Sequence, residues 1–126
     1  MLNWVVVATL ALAMQGPEDW ELVGTDSAGV RVSVNSGSIL LGADGPEAMV
    51  RLHYPRPIAR NVSQADVRAV FNCQTRRVTR TRLNELSATG EIVERNDDGD
   101  RMEAVTATAG TPMGRLLDRV CATTAE

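Results

Sequence analysis

Between residues 20 and 107 apolar and polar side chains alternate in short runs, and no other feature of the chain constrains its fold as tightly. "WELVGT" (20–25) and "GVRVSV" (29–34) carry the period-two pattern of half-buried strands, because successive side chains of a strand point to opposite faces. "NSGS" (35–38) is turn chemistry, followed by the short apolar run Ile39 to Leu41 and a second turn, "GADGPE". In "AMVRLHY" (48–54) Met49, Arg51 and His53 take one face and Val50, Leu52 and Tyr54 the other. "PRP" (55–57) is expected to stop that strand, since proline cannot donate to a ladder.

"SQADVRAVF" (63–71) admits two readings. Ser63 with Asp66 resembles a helix capping box, whereas Val67, Ala69, Phe71 and Cys73 share one face of a strand. The strand is favoured, running from about 67 into "CQTRRVTRTR" (73–82). Phe71, Cys73, Thr75, Arg77, Thr79 and Thr81 would then line one face, and Arg76, Val78, Arg80 and Arg82 the other. "LSATGEIVERNDDGDRMEAVTA" (86–107) reads as a hairpin through Thr89-Gly90, a strand at 91–95, an acidic turn and a last strand at 101–107. Beyond it Thr111 caps a helix, Pro112 takes its first position, and Met113, Leu116, Leu117, Val120 and Cys121 fall at helical spacing. The expected architecture is α+β: an antiparallel sheet of about five to six strands and one C-terminal helix.

The N-terminus speaks to compartment. Residues 1–13 are mostly apolar and give way abruptly to polar "QGPED". Twelve of them as a helix would reach about 18 Å, too short for a hydrocarbon core of roughly 30 Å. Ala11 and Ala13, spaced A-x-A, suit a signal peptidase, although no Lys or Arg precedes the run; the alternative is a buried first element of a cytoplasmic protein. A signal peptide over 1–13 and a single domain over 14–126 are therefore expected, in the periplasm or secreted. No cysteine follows the apolar run to carry a lipid, so no stable membrane anchor is expected. Given export, the pair Cys73 and Cys121 is expected to be bridged, against the alternative of two buried thiols. Helix spacing and strand parity bring both thiols to the boundary between helix and sheet.

Composition narrows the function. All thirteen basic residues are Arg, yet the net charge is −3, so no overall field draws nucleic acid or an anionic bilayer. The four aromatics are not interleaved with the arginines as a nucleic-acid surface would want. Arg76, Arg80 and Arg82 are expected to face solvent on an exposed strand, with binding of an acidic ligand as their residual role. His53 is the only histidine and no C-x-x-C occurs, which leaves no zinc set. Read from Asn96, "NDDGD" places Arg101 and Ala107 where a calcium loop needs Gly and Glu. No metal and no cofactor are expected. Nothing resembles a nucleophile elbow or a phosphate loop, and the chain reads as non-enzymatic.

A leading Trp20, then "GVRVSVNSGSI", "MVRLHY", "FNCQTRR", "GEIV" and a Pro-led helix ending in "VC" resemble the surface-adhesin protein E family. The resemblance spans about residues 20–121. It implies a small exported bacterial sheet domain whose C-terminal helix is tied down by a disulfide, with Trp20, Cys73, Gly90 and Cys121 at marker positions. The family's "YVDxxSI" strand lacks its Tyr and Asp here. The function expected is an adhesin-like binding module for a protein or surface ligand. A structural or accessory periplasmic protein is the alternative, with pairing of sheet edges as a route to a homo-oligomer, a dimer included, and the oligomeric state left open. A periplasmic hydrolase gathering Asp or Glu near His53 is a distant third.

Overall fold

The computed structural model describes residues 19–96 and 104–124. The expected signal peptide, residues 97–100 of the expected acidic turn at 96–100 and residues 101–103 of the expected last strand lie outside the described residues. Eight strands form one antiparallel sheet: β1 (Trp20–Thr25), β2 (Arg31–Asn35), β3 (Leu40–Gly42), β4 (Gly45–Ile58), β5 (Val62–Asn72), β6 (Arg77–Ser87), β7 (Ile92–Asn96) and β8 (Ala104–Thr106). Six of them follow the order β1-β2-β4-β5-β6-β7, while β3 pairs with the start of β4 and β8 with the start of β6. Among the described residues one α-helix, α1 (Pro112–Thr124), follows the last strand. The α+β class and the C-terminal helix expected from the sequence are thus present.

The alternation sorts the two faces. One face, here called inner, presents Val32 and Val34 from β2, Ala48 and Val50 from β4, and Val67, Ala69 and Phe71 from β5, all buried. Onto it α1 sets Leu116, Leu117 and Val120, which are also buried. Each such side chain removed from water stabilises by roughly 1.5–3 kcal/mol. The helix begins as its sequence dictates: Thr111 Oγ1 accepts the Gly114 N–H at 3.1 Å, and Pro112 stands where no intrahelical donor is needed. Gly114 has no room for a side chain, because a Cβ there would run into the Thr108 carbonyl.

Two expectations about strand limits need correction. "PRP" does not end β4, which stays extended to Ile58; only the ladder lapses, between the pairs His53↔Gln64 and Ile58↔Val62. Proline is compatible with an extended chain and merely withholds its donor. The strand expected from 67 through 82 is instead two strands. The chain folds back over 73–76, where Asn72 Oδ1 accepts the N–H groups of Gln74 at 3.1 Å and Thr75 at 3.0 Å. Arg76 then takes the left-handed conformation, φ 57°, that closes the hairpin. With neither Gly nor Pro in the turn, the alternation hides it.

Cys73 opens that turn and is bonded to Cys121 of α1, with Cα atoms 6.0 Å apart. The bridge closes a loop of 48 residues' separation, worth about 4 kcal/mol in the chain-entropy account. Cys121→Ser is expected to cost about 2–4 kcal/mol and to expose the amides of α1 before those of the sheet. Denaturant unfolding with hydrogen exchange checks this. Uniform loss of protection across helix and sheet would contradict it.

Candidate functional site

The helix rests mainly on β1, β2, β4 and β5, so the inner face toward β6 is left partly open. A cleft of about 230 Å³ lies there. Val50, Leu52, Val67, Ala69 and Val78 make its floor, Met113 and Leu116 its helical wall, and Val105 and Arg80 its far side. It exists because the floor is built from short side chains. Among the described residues Phe71 is the one aromatic of the buried core, and it is spent at the hairpin end of β5. Leu52 and Met113 also line a second hollow of about 400 Å³, bordered by Asp26, Val30, Tyr54 and Thr111.

Charged groups stand along the open side. The pairs Ala65↔Glu85 and Glu85↔Glu94 place both glutamates on the inner face. Arg60 reaches them with Nη2, 3.4 Å from Glu85 Oε1 and 2.9 Å from Glu94 Oε2. Arg60 and Asn61, at φ 63° and 61°, form the tight link from β4 to β5 that aims this side chain. Burial, then the hydrogen bond and charge of Glu94, raise the Glu85 carboxyl above the usual range. The hydrogen bonds with Arg60 and Glu85, and the Arg60 charge, hold Glu94 below it. The Tyr54 hydroxyl is pushed up by burial and then by Glu85, against a smaller lowering by Arg80.

The three arginines singled out by the sequence part company, which corrects the expectation that they share one solvent-facing strand face. Arg76 belongs to the turn and folds over α1. It donates to the Ala107 carbonyl at 3.2 Å, to Asp118 Oδ1 at 2.8 Å and to the Gly114 carbonyl at 3.5 Å. Arg80 and Arg82 are separated by a bulge: Arg82 pairs with Arg68 and Arg80 with Ala69, leaving Thr81 as the extra residue. Arg80 therefore faces inward, at the cleft, while Arg82 shares the outer face with Arg68. His53 is also on the outer face and exposed, away from Glu85 and Glu94. Trp20 lies on that outer face under Arg51, whose guanidinium carbon is 3.9 Å from the ring centroid, and Arg51 is ion-paired to Asp66 at 2.9 Å. Gly90 turns the β6–β7 hairpin at φ 87°.

Glu85 and Glu94 escaped the sequence reading for a definable reason. Strict alternation from Val78 would send Glu85 outward, and the bulge at Thr81 reverses the parity. Tyr54 was assigned to the face of Val50 and Leu52, and it is found there.

No group of three or more His, Cys, Asp or Glu side chains among the described residues could hold a metal ion. None of their helices is long and apolar enough to cross a membrane. No family model, curated protein or solved structure matches the chain.

The carboxylate pair has a pH consequence of definite sign. Glu85, raised in the folded state, contributes stability that is present at low pH and lost as pH rises through its folded value. Glu94, depressed, does the reverse and loses its contribution as pH falls through its own. Glu94→Gln removes the neighbouring charge that holds Glu85 up, so Glu85 is expected to titrate lower in the variant. Carboxyl-carbon NMR titration reads this directly, and an unmoved Glu85 would rule out the coupling.

Proposed function

We propose that this chain is an exported, non-enzymatic bacterial binding domain whose ligand enters the cleft between α1 and the inner face. The observation that carries the reading is the cleft itself, a hollow of about 230 Å³ lined almost wholly by aliphatic side chains and open toward β6. Such a concavity with few polar groups is the usual form of a small-ligand site. Export is supported by the apolar N-terminal run ending in A-L-A and by the disulfide, a bond that persists in oxidising compartments. The non-enzymatic part of the reading is supported by the separation of His53 from the carboxylate pair. The resemblance to surface-adhesin protein E motifs points to the same class, a small exported module that works by binding.

Val105 lines the cleft and is 49% exposed, so a larger side chain there fills the hollow with little effect on folding. A neutral fluorophore such as Nile red is expected to bind the wild type, and Val105→Trp to weaken it about tenfold, equivalent to about 1.4 kcal/mol. Equal binding by a variant with an unchanged melting curve would move the site elsewhere. Intact mass of the protein from a periplasmic extract is expected to lack residues 1–13. Full-length mass there would refute the processing.

A further inference from the structure

Of the side chains lining the cleft, one is charged: Arg80. Among the described residues no carboxylate forms an ion pair or hydrogen bond with it. Glu85 acts on it electrostatically, but that carboxyl is engaged by Arg60 at 3.4 Å and by Glu94. Asp118, the acid nearest the helical wall in sequence, is bound to Arg76 at 2.8 Å. Past the turn at 73–76, Val78 and Arg80 lie opposite Phe71 and Ala69 on the inner face, and the bulge at Thr81 comes only after them, so a guanidinium stands at the mouth of a hollow that is otherwise hydrocarbon.

A guanidinium presents a planar fork that matches a carboxylate in two parallel hydrogen bonds. An apolar trough with such a fork at its mouth fits an amphiphile, its tail along the floor and its head on the fork. The tail has room. The cleft spans β6, β5 and β4, and a second hollow that shares Leu52 and Met113 with it reaches β2, so the two together extend over three strand spacings, about 14 Å. The head is limited to one negative charge, because Glu85 lies within electrostatic reach of the same guanidinium and opposes a second.

From this juxtaposition we infer that the cleft takes a single-chain carboxylate of the medium-chain fatty-acid class, with its tail over Val67, Ala69 and Leu52 and its head on Arg80. The inference rests on the cleft being the binding site, and the test separates the two. Decanoate and the uncharged decanol are titrated by calorimetry, below micelle formation, into the wild type and Arg80→Gln. Arg80 is exposed, so its replacement leaves the core untouched. The wild type is expected to bind decanoate more tightly than decanol. Arg80→Gln should weaken decanoate by roughly tenfold or more, the worth of a charge-assisted hydrogen bond, and leave decanol within about twofold. If both ligands bind and Arg80→Gln changes neither, the head-group assignment falls and the cleft stands. If neither ligand binds the wild type, the cleft reading falls and this inference with it.

Discussion

Everything on the inner face depends on the helix being held against the sheet, and beside its buried side chains one turn supplies the tethers. Residues 73–76 supply the covalent tether through Cys73 and, three residues on, the Arg76 side chain that reaches Ala107, Gly114 and Asp118. A helix of thirteen residues is marginal in water by itself. Here it is fastened near its end by Cys121, in its middle by Asp118, and at its start by the Thr111 cap. At the β1 side Arg119 adds an ion pair to Glu21 at 2.7 Å. That exposed pair is worth at most about 1 kcal/mol. The disulfide and the buried leucines hold the helix more strongly.

Holding the helix does not fill the space beneath it. A core of valines and alanines packs densely only where strands or helix approach closely. Where α1 leaves the sheet toward β6, short side chains on the floor meet Met113 and Leu116 across a gap. A domain of this size with more large aromatics would close that gap and be more stable. The cleft is thus a direct consequence of composition joined to the position at which the helix is tethered. The binding role proposed above uses a feature that packing alone would have eliminated.

The outer face follows a different logic. Its ion pairs run across strands, Arg51 with Asp66 directly opposite and Arg68 with Glu47 on the diagonal at 3.2 Å, so that much of this sheet face is occupied by paired polar groups. Trp20 is the exception in chemistry. Its ring takes the Arg51 cation, while its Nε1 is buried without a hydrogen-bond partner among the described residues. An orphaned buried donor costs about 1–3 kcal/mol, offset in part by the cation–π contact.

The sequence by itself determined the parts governed by local periodicity and local capping. β1 is found where "WELVGT" predicts it, the faces of Met49 to Tyr54 are as alternation demands, and α1 starts at Pro112 behind its Thr111 cap. Pairing of Cys73 with Cys121 was legible once export was read from the first thirteen residues, because two cysteines admit one bridge. Only the tertiary structure decided the rest of the site. A turn built on Asn72 without Gly or Pro, and a single extra residue at Thr81, both break the period that sequence reasoning relies on. Those two irregularities send Arg76 to the helix, Arg80 to the cleft, Arg82 to the outer face and Glu85 beside Glu94. Parity is local along a strand but is reset by every bulge, and a bulge is chosen by how neighbouring strands pair, which no single strand's sequence records.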